Sequence, residues 1–187
     1  MILDKEARRI NREIMKSSQL KEDAEGDAII DVQVESKNEI FSKFNYEEGD
    51  ILTTEFTDYL WNKAKLVPTN KNLHIKVYAN EELNVNKVEN AIKKHYKNEY
   101  IEVKSELSYL GRFSLINLIL GIITLAVLLV LHNVFDNYFL VSIVDILAWV
   151  FVWEAFDSFF LERARLKRRQ KHILKIYSSE VEIILEK

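Results

Sequence analysis

The chain has 187 residues, enough for one ordinary domain, and a formal net charge of −3. It holds no cysteine, which excludes a disulfide framework, a thiol nucleophile and a thiolate metal site. Residues 1–110 carry 17 Lys/Arg against 21 Asp/Glu, a balance that gives no electrostatic footprint for nucleic acid.

The apolar residues are segregated. The opening Met-Ile-Leu-Asp-Lys-Glu has no apolar core, so no cleavable signal peptide is expected there. One proline and four glycines argue against low-complexity linkers. Residues 4–22 place Ile10, Ile14 and Met15 at helical spacing among mixed charges, which predicts an amphipathic helix within an N-terminal segment 1–26. Its mixed polar face fits packing on its own domain better than a membrane-surface arm.

Residues 27–110 read as a cytoplasmic α+β domain with a long helix. Residues 28–34 alternate and are β-branched, as a strand requires. Residues 39–46 are ambiguous. Thr53 or Thr54 caps a helix with Phe56, Leu60, Ala64 and Val67 on one face, ended by Pro68. Leu73 to Tyr78 alternates as a second strand. Asn84 or Asn86 caps the next helix, with Glu89 three residues after Asn86 as in a capping box. Tyr96, Tyr100, Val103, Leu107 and Leu110 then follow steps of 4 and 3, a heptad seam that extends this helix to a bend expected at Gly111.

Residues 111–161 read as a two-helix transmembrane hairpin with spans 113–131 and 139–161. The first span is uncharged and rises about 28 Å as a helix, close to one hydrocarbon core. The connection 132–138 has no Lys or Arg, whereas Arg163, Arg165, Lys167, Arg168, Arg169, Lys171 and Lys175 follow the second span. The positive-inside rule therefore places both termini in the cytoplasm, with anionic lipid headgroups as partners of the basic run. Residues 162–177 continue as a basic helix. Val181, Ile183 and Ile184 favour a C-terminal strand that adds to the α+β domain, because two strands alone leave exposed edges.

Three acids interrupt the second span: Asp145, Glu154 and Asp157. A carboxylate in lipid costs several kcal/mol unless paired, hydrated or protonated. Snorkelling with pairing inside a homo-oligomer explains them plainly, with Asn117 and Arg112 as expected partners; an ion or proton path is the sharper reading. Histidines 74, 95, 132 and 172 are scattered without a ligand-pair spacing, so no metal or other cofactor is expected. No phosphate loop or nucleophile elbow occurs, so no enzyme is expected.

The run Ala148-Trp-Val-Phe-Val-Trp153, followed by Asp157 and the basic stretch, resembles a family of uncharacterised bacterial two-span membrane proteins. That family carries Gly-Trp-Val-x-x-Trp-Arg-Pro-x-Glu at its second span. Residues 40–44, 54–60, 73–78 and 88–96 are similar to its upstream segments, so the likeness covers roughly 28–186. Ala148, Glu154 and Ala155 depart from its Gly, Arg and Pro. The resemblance implies an α+β domain with a two-span hairpin, in the inner membrane, and implies no activity. Two functions remain: a membrane-anchored scaffold for an unknown cytoplasmic protein, or a small oligomeric pore, holin-like or transport subunit.

Overall fold

The computed structural model describes residues 21–23, 26–44, 51–68, 71–134 and 138–185. Most of the expected N-terminal helix lies outside these residues, but Lys21–Glu22 at its end forms a short strand, β1. The elements that follow are β2 (Ala28–Val34), a single turn α1 (Lys37–Ile40), α2 (Thr54–Ala64) and β3 (Leu73–Ala79). Then come α3 (Val85–Val134), α4 (Tyr138–Phe156), a π-helix (Asp157–Glu162), α5 (Arg163–Tyr177) and β4 (Glu180–Leu185). The fold class is α+β: a small mixed sheet with helices. Among the described residues one helix, α3, is long and apolar enough to cross a membrane.

The chain divides into two units. One comprises residues 1–100 and 171–187, the other residues 101–170.

The first unit is built on a sheet of order β1-β2-β3-β4. β1 runs antiparallel to β2, while β2, β3 and β4 are parallel. The alternation of β2 and β3 explains their two faces. Ala28, Ile30, Val32 and Val34 of β2 are buried, as are Leu73, Ile75, Val77 and Ala79 of β3. Parallel strands need crossovers, and α2 joins β2 to β3 with Phe56, Leu60 and Ala64 buried. Thr53 caps α2 through the Phe56 amide at 3.4 Å. Asn84 is the residue that caps α3, accepting from the Lys87 amide at 3.1 Å; Glu89 pairs with Lys93 instead of closing a box at Asn86. Tyr96 donates to the Thr57 carbonyl at 3.0 Å, and burial pushes its phenol well above the usual range. On α5, Ile173 and Ile176 are buried and Tyr177 is exposed. Lys175 is buried and donates to the carbonyls of Val67 and Pro68 just past α2. Those carbonyls lie in the turn after α2, where the Pro68 carbonyl also accepts from the Lys71 amide at 3.2 Å.

The second unit consists of helix. α3 runs 50 residues without interruption through Gly111. Its buried and half-buried positions continue the 4-3 rhythm far beyond Leu110: Ser114, Asn117, Gly121, Thr124, Leu128 and Leu131. On α4 the matching line is Val141, Asp145, Ala148, Val152 and Ala155. The two helices approach closely where this line is small. A Cβ at Gly121 would stand 2.9 Å from Val152 Cγ2. The second apolar run is not a uniform α-helix to Leu161; α4 ends at Phe156 and one wider turn follows. From Ala155 the inward positions step to Ser158 and then Arg163, eight residues where a heptad spends seven. A π turn absorbs one extra residue, so Leu166, Gln170 and Ile173 resume the inward rhythm.

Candidate functional site

The residues singled out in the sequence are concentrated on α4, the π-helix and α5, and the fold treats them differently. Asp145 is half-buried on the inward line of α4, three residues before Ala148. Glu154 is exposed on the outward side, next to the exposed Trp153. Asp157 is half-buried in the first position of the π-helix. The three carboxylates therefore do not converge on one face. Asn117, expected to meet one of them, donates to its own helix at the Phe113 carbonyl, 3.1 Å away. Ser114 and Thr124 likewise donate to the carbonyls of Leu110 and Leu120, both at 2.7 Å. Hydroxyl and amide groups closed onto their own helix are the form that survives without water. No ion pair joins Glu154 to Arg112 among the described residues.

Of the basic run, Arg165, Lys167, Arg168, Arg169 and Lys171 are exposed. Arg163 is not like them. It is half-buried, its guanidinium lies 5.3 Å from the centre of the Phe159 ring, and its Nη1 approaches Gly111. Its Nε is buried with no hydrogen-bond partner among the described residues. Beside it, a cleft of about 520 Å³ opens between α3 and the α4–π-helix segment, lined by Gly111, Ser114, Leu118, Val152, Phe156 and Phe159 among others. The walls are almost wholly apolar. Composition marked the basic run, but the special position of Arg163 follows from the π turn, which no local pattern in the sequence announced.

The first unit carries two polar arrangements. Across the open face of the sheet, Lys21 pairs with Asp31 at 2.7 Å, Asp31 stands opposite Lys76, and Lys76 pairs with Glu182 at 3.0 Å. Alternating signs across four strands raise the Lys21 and Lys76 ammonium groups above their usual range, through Asp31 and Glu182 respectively. At the start of the sheet, His74 Nε2 lies 3.5 Å from Asp23 and 3.7 Å from Asp27. Asn72 holds Asp27 through its amide groups and keeps that carboxyl below its usual range. These three are the set with metal-ligand spacing among the described residues, their ligand atoms lying within 4.8 Å of one another. The histidine is far from either aspartate in sequence, which is why spacing alone passed over the cluster.

A second cleft, of about 630 Å³, lies beside the end of β2 against α1 and the start of α2, with Thr53, Glu55 and Tyr59 in its wall. Tyr59 donates to the Asp31 carbonyl at 2.9 Å there. The Thr53 hydroxyl there donates to the Glu39 backbone carbonyl. Comparison with known proteins adds no relative, since no protein-family model, no curated protein and no solved structure matches the chain.

Proposed function

We propose that residues 113–161 form a two-helix hairpin in a bacterial plasma membrane, and that the chain is a membrane-anchored, non-enzymatic scaffold. The sheet unit then lies in the cytoplasm with both termini and binds a cytoplasmic protein or further copies of the chain. One observation carries this reading. In the second unit the small and polar residues Ser114, Asn117, Gly121, Ala148, Ala155 and Ser158 are buried, while Leu115, Ile119, Ile122, Leu129, Trp149 and Phe160 are exposed. A contiguous apolar surface of that kind needs lipid or a partner to cover it, and small residues are what bring helices together in lipid. The basic residues after Leu161 and their absence from 132–138 support the orientation. The likeness of residues 28–186 to bacterial two-span proteins supports the same architecture and supplies no activity.

The test is thiol labelling of intact cells with an impermeant reagent. Asn137→Cys is expected to react and the exposed Ser178→Cys to stay unreacted until the cells are opened. Labelling of position 178 in intact cells removes the both-ends-inside arrangement.

A second reading, an oligomeric pore, draws on Glu154. An outward carboxylate in lipid favours a neighbouring copy that covers it. Ion flux through vesicles containing the protein, reduced by Glu154→Gln with assembly unchanged, supports the pore; absence of flux from the unaltered chain removes it.

A further inference from the structure

The cleft between α3 and the α4–π-helix segment is apolar along its length. Arg163 stands beside it, next to the wall residues Gly111 and Phe159; its Nε is buried without an acceptor among the described residues, and it forms no ion pair there. Phe159 lies under the guanidinium and Gly111 leaves room beside it. From Gly111 the cleft continues past Ser114 to Leu118 on one wall, and back through Phe156 to Val152 on the other. Seven helical rises from Gly111 to Leu118 make that wall about 10 Å long. Its hydroxyl, on Ser114, is already committed to Leu110, so the wall asks for an apolar occupant.

We propose that this cleft is a selective site for one anionic phospholipid. The Arg163 guanidinium takes the phosphate, and the first part of one acyl chain lies along Gly111, Ser114 and Leu118 against Val152 and Phe156. The proposal rests on the membrane reading above, under which Arg163, two residues beyond Leu161, stands at headgroup level and the cleft runs from there into hydrocarbon. A buried guanidinium donor without an acceptor calls for an oxygen ligand. A phosphate matches its planar fork with paired charge-assisted bonds. The neighbouring Arg165 and Lys167 are exposed and add a diffuse positive field that favours an anionic over a zwitterionic lipid. The eight-residue step through the π turn is what directs position 163 inward to this mouth.

The experiment uses the full chain purified in detergent and mixed with equal amounts of phosphatidylglycerol and phosphatidylcholine. Native mass spectrometry then counts the lipids retained. A dominant single phosphatidylglycerol adduct is expected. Arg163→Gln is expected to cut the preference for phosphatidylglycerol roughly tenfold, as loss of one charge-assisted contact does. Arg165→Gln, with an equal charge change at an exposed position, is expected to alter it less than about twofold. Gly111→Leu introduces a side chain whose nearest obstacle is the flexible end of Arg163 at 3.8 Å, and is expected to lower retention of both lipids by filling the cleft. Equal effects of Arg163→Gln and Arg165→Gln overturn the site in favour of diffuse attraction. A dimer in place of the lipid adduct overturns it in favour of a second copy. Resistance of the native protein to alkaline carbonate extraction is measured in parallel. A chain that washes off the membrane defeats the membrane reading and this site with it; a chain that stays but shows no preference defeats the site alone.

Discussion

The two units of this chain are packed in opposite senses. In the sheet unit the interior is large and aliphatic, with Ile30, Leu60, Ile75, Val77, Ile92, Ile173 and Ile176 all essentially sealed, and Lys175 is the buried charge among the described residues. In the helical unit beyond Leu110 the fully buried residues are small and most bulky residues face out. A single helix, α3, displays the change along its own inward line. Tyr96, Tyr100, Val103, Leu107 and Leu110 give way to Ser114, Asn117, Gly121 and Thr124 without a break in the 4-3 rhythm. Under the proposed membrane placement, the same periodicity serves two solvents. Water drives large apolar groups inward because their burial is worth about 25 cal/mol per Å². Where lipid replaces water that term vanishes, and close contact between small residues takes over.

The sharpest way to break the comparison is to make one substitution in both units. Ile75→Ala empties a fully buried position in β3 and is expected to cost about 2–5 kcal/mol, read from denaturant unfolding of the sheet unit in the full chain. Ile122→Ala, on the exposed side of α3, is expected to change helix-pair stability in detergent by under about 0.5 kcal/mol. Comparable losses at both sites would mean that position 122 is buried against protein and that the inversion is false.

A smaller effect is expected at the contact between the two helices of the second unit. Gly121→Leu forces Val152 aside and is expected to destabilise the pair by about 1–3 kcal/mol, as overpacking does. Disulfide crosslinking between cysteines placed on α3 and α4 reads the loss. Unchanged crosslinking would show that close approach at position 121 does not hold the pair.

The least change is expected from pH, and it belongs to the sheet unit alone. His172 lies edge-on to Trp61, with ring centres 6.3 Å apart, and its Nδ1 is buried without a partner among the described residues. Burial, then Lys175 and Lys65, hold its pKa below the ordinary value of 6.5. A base depressed in the folded state binds its proton more readily when unfolded. Its contribution is therefore full above pH 6.5 and is lost as pH falls through the folded pKa. Acidification from pH 7 to 5 is expected to lower the melting temperature of the sheet unit, and His172→Gln to flatten that slope. A slope unaffected by His172→Gln assigns it to other groups.

The elements were legible wherever a pattern was local. Strand alternation in 28–34 and 73–78, the Thr53 cap, the heptad steps after Tyr96 and the β-branched residues 181–184 each carry their own period, and each of those segments forms the element its period implies. Three features carried no such mark. The π turn depends on whether Arg163 or its neighbour faces inward, which is fixed by the partner helix and not by residues 157–162 themselves. The Asp23–Asp27–His74 cluster depends on β2 lying beside β3, a pairing across more than forty residues that brings the β1–β2 connection to His74. The burial of Lys175 looked like one more charge in a basic run until the carbonyls after α2 supplied its acceptors.

The sequence by itself determined the segregation of charge from the apolar runs, the period of each element and the charge asymmetry around 113–161, because these are properties of composition and spacing. Only the tertiary structure decided which strands are neighbours and that they run parallel, which of the three acids faces inward, and which arginine leaves the basic run to stand at a cleft. Those depend on distances between residues far apart in the chain, and no local preference of a backbone or side chain encodes them.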